Sequence, residues 1–195
     1  MLGTTRAASV SDVRWDELFA DLELQLAAMA TVERDSEVAE RIRIEDSQIT
    51  WLERLRAQLD RELHLTVRSV GSVRGTLMRV GSDCAVLQGG QQVFLVPLAA
   101  VVSVAGLTAA ADTADPAAVT SRLGLGSALR ALARDRAVVA VHCIDGQRVV
   151  GTPARVGANY LELAVHAPDE GPRPASVTAR LLLPFAGLAL VRPAP

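Results

Sequence analysis

From Leu63 onward the chain alternates. Leu63, Leu65 and Val67 are apolar while His64, Thr66 and Arg68 are polar, the period-two pattern of a half-buried strand. Before that point the period is helical. Trp15, Phe19, Leu22, Leu26 and Met29 recur at steps of 4, 3, 4 and 3, which sets all five on one stripe. Ser11 or Asp12 can cap the start, and Asp16 and Glu17 sit in or near the first turn, where the helix dipole favours negative charge. The stripe fails over the polar stretch Thr31–Glu37 and resumes with Val38, Ile42, Ile49, Leu52, Leu55 and Leu59. This predicts one bent helix, or two helices broken near Asp35–Ser36. The stripe can pack within its own chain as a hairpin, or against a second copy.

After Leu63 the turn residues cut the chain into short strands. Gly71-Ser72, Gly81–Asp83 and Gly89-Gly90 bound strands at 73–80, 84–87 and 93–96, and a further strand follows Pro97–Ala100 at 101–104. Residues 108–121 are small and of low complexity, which predicts a linker. The order then repeats: a short helix closing at Arg130–Asp135, and strands at 138–144, 149–156, 160–165, 180–183 and 188–191.

The repeat is visible in the residues themselves. Gly75-Thr76, Arg79, Val80 and Gly81 fall on Gly151-Thr152, Arg155, Val156 and Gly157 at a constant offset of 76. Phe94 to Ala99 fall on Leu181 to Ala186 at an offset of 87, because 11 extra residues precede Arg180. A match through helix, strands and turns together predicts a duplicated unit. The expected organisation is a loose tail over 1–11, a helical segment over 12–60, a first small barrel over 61–107, a linker over 108–121, and a short helix with a second barrel over 122–195. The fold class is therefore α+β: a long N-terminal helix or helical hairpin followed by two duplicated five-stranded barrels.

A short helix and five strands, with Asp145-Gly146-Gln147-Arg148-Val149-Val150-Gly151 across the first two strands of the second unit, resembles the Sm-like barrel. The first unit keeps Gly71 and Gly75 but is one residue tighter. The residues that build the uridine pocket of RNA-binding Sm proteins have no counterpart in Val80–Asp83 or Val156–Asn159, so no binding residue carries over. The Val96-Pro97-Leu98 turn is similar to that of PRC-barrel domains, which implies an interaction module. The layout, with its opening Trp15-Asp16-Glu17-Leu18-Phe19 helix, resembles a group of actinobacterial proteins.

Composition adds limits. Half of the residues are hydrophobic but only 3% are aromatic, so the core must be Leu, Val and Ala. All 20 basic residues are Arg, and the net charge is −2, which argues against a dominant attraction to nucleic acid or an anionic membrane. The charge is uneven: residues 1–62 hold 8 Arg and 14 acids, and residues 63–195 hold 12 Arg and 8 acids. Arg122, Arg130, Arg134 and Arg136 gather around the helix of the second unit, where they form either a solvated face or a weak nucleic-acid contact. No stretch approaches the roughly 18 apolar residues of a membrane helix.

Cys84 and Cys143 make no metal pattern, and the three histidines are scattered. His64, His142 and His166 are expected to be surface histidines without a role, the first two pointing outward on strands, and Cys143 is expected to point inward. No catalytic, cofactor or metal residues are expected. The reading is a cytoplasmic, non-enzymatic interaction or scaffold protein, a homo-oligomer (most simply a dimer) or a binder of a partner protein. Its association seam would be Trp15, Phe19, Leu22, Leu26 and Met29. The alternative is a nucleic-acid-associated regulator that uses the Arg-bearing half.

Overall fold

Thr50 starts a helix by a reciprocal cap. Its hydroxyl accepts from the Glu53 backbone N–H, and the Glu53 carboxylate accepts from the Thr50 N–H at 2.6 Å. The computed structural model describes residues 47–112, 123–167 and 176–194, together with Glu40. Ser47 and Gln48 are helical, but Ile49 and Thr50 are not. The helix that begins at the cap, α1 (Trp51–Arg56), is only six residues long. A continuous helix over the described part of 38–59 is thus not what forms. The capping box restarts the helix, and a turn with Asp60 at φ 62 leads out of it. The seam Trp15, Phe19, Leu22, Leu26 and Met29 lies outside the described residues.

Strands β1 (Glu62–Val67), β2 (Gly71–Val80), β3 (Cys84–Gly89), β4 (Gln92–Pro97) and β5 (Val101–Ala105) follow α1. Then come helix α2 (Leu125–Arg134) and strands β6 (Val139–Cys143), β7 (Arg148–Val156), β8 (Tyr160–Val165), β9 (Ala179–Pro184) and β10 (Leu188–Pro193). All ten strands join one antiparallel sheet in the order β5-β1-β2-β3-β4-β10-β6-β7-β8-β9.

This corrects the expectation of two closed barrels. Closure of each five-stranded half would need β4 to bond β5, and β9 to bond β10. Instead a 3-10 turn at Leu98–Ala100 carries β5 across to β1, and the edge of β4 is taken by β10, with Val191 opposite Leu95. The sheet therefore runs from one half into the other and, among the described residues, ends at β5 and β9, each with one strand neighbour.

Within that sheet the halves order their strands alike. Register agrees as well: Leu65 lies opposite Val104 and Val141 opposite Val191, while Val67 faces Val101 and Cys143 faces Leu188. Each half carries a bulge in its second strand, between Leu77 and Arg79 and between Pro153 and Arg155. In β2 the bulge takes the alternation out of step, so Leu77 and Val80 are both buried while Met78 and Arg79 are both exposed. Turn hydrogen bonds recur too: the Gly81 N–H donates to the Cys84 carbonyl at 2.7 Å, and the Gly157 N–H to the Tyr160 carbonyl at 2.9 Å.

The apolar residues form two clusters, and each is completed from the other half. The first, around Leu55, Leu63, Leu65, Leu77 and Leu87, takes in Ala189 and Leu190 of β10. The second, around Leu125, Leu129, Leu161 and Leu163, takes in Cys84 and Leu95 of β3 and β4. Polar contacts cross as well. The Asp83 carboxylate accepts from the Leu125 N–H at 2.6 Å and so holds the start of α2, and the Arg192 guanidinium donates to Gln92 at 3.0 Å.

The expected linker is anchored at its beginning. Gln58 is fully buried, and its amide exchanges hydrogen bonds with Thr108: Nε2 donates to Oγ1 at 3.0 Å, and the Thr108 N–H donates to Oε1 at 3.3 Å. The Asp112 N–H donates to the Glu53 carbonyl at 3.0 Å.

Candidate interaction surface

The sheet exposes apolar side chains at its two ends. Among the described residues, Leu181 and Leu182 on β9 and Val102 on β5 are large hydrophobics that remain open to water. Of their counterparts at the β4–β10 junction, Leu95 and Ala189 are buried and Phe94 is partly buried. Leu182 is 59% exposed and Leu95, 87 positions earlier, 6%; Val102 is 63% exposed and Ala189, 87 positions later, 0%. The two end strands thus have the composition of interior strands but, among the described residues, lack the second neighbour that an interior strand has. Natural sheets usually blunt such edges with charge, proline or a covering loop. Here β5 (VVSVA) carries no charge, and β9 (ARLLLP) carries only Arg180 with a proline at its last position.

A second feature is a groove of about 980 Å³ beside α2. Its apolar wall includes Leu59, Met78, Val86 and Val93, and Arg56, Arg79, Arg130 and Arg134 line it as well. The expected arginine cluster is divided by the helix. Arg130 and Arg134, one turn apart, share this groove, whereas Arg136 lines a different hollow together with Arg180. Arg122 lies outside the described residues. The sequence does not bring Arg56 and Arg79 to this group, because only the packing of α2 against the first half sets them beside it.

The titratable groups within the sheet serve the fold. Cys84 and Cys143 are buried free thiols. Burial, with Asp83 nearby, pushes Cys84 up to about 11, and burial with Asp145 raises Cys143, so both stay protonated near neutral pH. His64 faces solvent, as its alternation predicts. His142 is only half-exposed: burial first, then Arg192 and Arg148, hold its pKa below the ordinary value. His166 is buried rather than on the surface. Its Nδ1 donates to the Ala167 carbonyl at 2.7 Å, and its Nε2 shares a hydrogen bond with the Thr152 hydroxyl at 2.9 Å. Those two contacts seat the ring between β7 and the end of β8. Among the described residues no three His, Cys, Asp or Glu side chains gather as metal ligands, and no helix is long and apolar enough to cross a membrane.

No family model matches this chain, and a comparison with curated proteins gives no match either.

Proposed function

We propose that this is a non-enzymatic interaction or scaffold protein of the cytoplasm, built from two related halves, which binds protein through the open edges of its sheet. The observation that carries the reading is the exposure of Leu181, Leu182 and Val102 on the two strands that have one neighbour each among the described residues. A bare apolar edge offers unpaired backbone groups for strand addition and side chains for an apolar contact. The halves' common strand order, register and bulges support the view that they are copies of one unit, as in tandem Sm-like or PRC-like proteins. The Trp15–Met29 seam is a second association element in this reading.

The test is Leu182→Lys, compared with wild type by light scattering after size exclusion and by co-purification from native cytoplasm. Leu182 is largely exposed, so the fold and melting temperature should be kept within about 0.5 kcal/mol of stability, while the mass or the co-purifying protein is lost. Unchanged association in this variant counts against edge binding.

A second reading rests on the groove, where Arg56, Arg79, Arg130 and Arg134 come together. Here the chain makes a weak, sequence-blind contact with nucleic acid. Neutralising about four phosphates gives a roughly hundredfold fall in affinity between about 50 and 200 mM salt. Fluorescence anisotropy with a labelled duplex measures this. A flat salt dependence, or tight binding to one defined sequence, rejects it.

A further inference from the structure

We infer that the groove beside α2 is a binding site for a free fatty acid, with the acyl chain along the apolar wall and the carboxylate among the arginines. The site is independent of the edge-binding reading, and it gives the groove's arginines a ligand other than nucleic acid.

The apolar wall is not a by-product of the fold. Among the described residues eight large hydrophobics are exposed, and four of them, Leu59, Met78, Val93 and Leu123, line this one groove. Met78 owes its exposure to the β2 bulge, which presents it beside Arg79. The second half shows that the unit stands without such a wall. By the repeat offset and the strand register, Leu59, Met78, Val86 and Val93 correspond to Asp135, Ala154, Glu162 and Arg180. Three of those four are charged, so these positions ordinarily face water. The first half carries alkyl groups at all four, gathered around one groove. A contiguous apolar patch left open in this way marks a binding site.

The charge on the lining points to an anion. Arg56 comes from α1, Arg79 from β2, and Arg130 and Arg134 from α2, against two acids, Asp112 and Asp135. Among the described residues none of the four guanidiniums is held in an ion pair. The Arg56 Nε is buried there without a hydrogen-bond partner. A buried donor without an acceptor is destabilising, and a carboxylate supplies the acceptor in its strongest, charge-assisted form. The volume of about 980 Å³ falls at the upper end of small-molecule sites, roughly 300–1,000 Å³. A nucleic acid would use the arginines but leave the alkyl wall in water. Among the described residues no aromatic side chain lines the groove for a base to stack on. An acyl chain with an anionic end matches both parts of the lining.

Isothermal titration calorimetry of the full-length chain tests the site, with octanoate, decanoate and decyltrimethylammonium below their micelle concentrations. Decanoate should bind saturably, one per chain. Octanoate should bind roughly tenfold more weakly, since each buried methylene is worth about fourfold. The cation of equal chain length should not bind where decanoate saturates. Met78 and Arg130 are both exposed, so Met78→Glu and Arg130→Gln should keep the wild-type melting temperature. Arg130→Gln should weaken decanoate about tenfold through loss of a charge-assisted hydrogen bond. Met78→Glu should weaken it at least as much, by setting a carboxylate against the acyl chain. Arg155→Gln, the exposed counterpart of Arg79 on the second half, should bind as wild type does. Equal binding of decanoate and decyltrimethylammonium, or wild-type affinity in either groove variant, overturns the site. Binding to vesicles of phosphatidylcholine and phosphatidylglycerol without binding of free decanoate makes the groove a membrane contact and overturns the free fatty acid as its ligand. A labelled duplex that Arg130→Gln releases, and that decanoate neither displaces nor accompanies, leaves the groove to nucleic acid and overturns it as well.

Discussion

Gly151→Ala should be among the most damaging small substitutions in the chain, lowering stability by about 3 kcal/mol or more. A Cβ at this position in β7 would lie 2.2 Å from the Ala164 carbonyl oxygen, a backbone atom of the adjacent strand. Overpacking against side chains costs roughly 1–3 kcal/mol because side chains can move. A backbone carbonyl held in the ladder moves only if β7 and β8 separate. Gly75 meets the same neighbour in the first half, the Gln88 carbonyl, at 2.7 Å, so Gly75→Ala should be the milder of the two. Gly187 is the control. Nothing lies within 4 Å of its added Cβ, and Gly187→Ala should change stability by less than about 1 kcal/mol. Urea denaturation midpoints measure all three. A Gly151→Ala protein whose midpoint equals that of Gly187→Ala would show that the two strands are not this close.

The glycine pair also shows what the sequence made legible. Gly75 and Gly151 stand out as a shared turn-or-strand glycine at one offset, and the structure supplies the cause: a carbonyl of the third strand sits where a Cβ would go. Strand positions were readable because alternation is a local signal. Expected strands at 84–87, 93–96, 160–165 and 180–183 became Cys84–Gly89, Gln92–Pro97, Tyr160–Val165 and Ala179–Pro184. Pairing was not readable. The apolar pattern of Phe94–Val96 calls for two neighbours but does not say whether the second is β5 or the equivalent strand of the other half. The difference between two closed barrels and one open sheet lies in that choice. The buried Gln58 and His166 were missed for a related reason, since their partners Thr108 and Thr152 are 50 and 14 positions away. The edge surface left one trace: Leu181, Leu182 and Leu183 run unbroken, as in a strand buried on both faces, and only the structure shows that β9 has a single neighbour among the described residues.

The consequence of cross-half pairing can be measured at Leu190. Its backbone belongs to β10, yet its side chain is 2% exposed and packs in the cluster around Leu55, Leu63 and Leu77 of the first half. Leu190→Ala should cost about 2–5 kcal/mol, from lost apolar burial and the cavity left behind. At roughly 2–4 °C per kcal/mol for a chain of this size, that lowers Tm by on the order of 10 °C. The shape of the transition matters more than its midpoint. If each half closed on its own core, a cavity in the first would melt that half early and leave the second to unfold later. With β10 shared between the two clusters, and Cys84 and Leu95 crossing in the other direction, the first half cannot come apart without uncovering the second. Calorimetry of the variant should therefore show one endotherm whose van't Hoff and calorimetric enthalpies agree, displaced downward from wild type. Two resolved transitions in Leu190→Ala would mean that the halves hold their cores separately, and that the β4–β10 junction is a contact between finished units rather than the middle of one sheet.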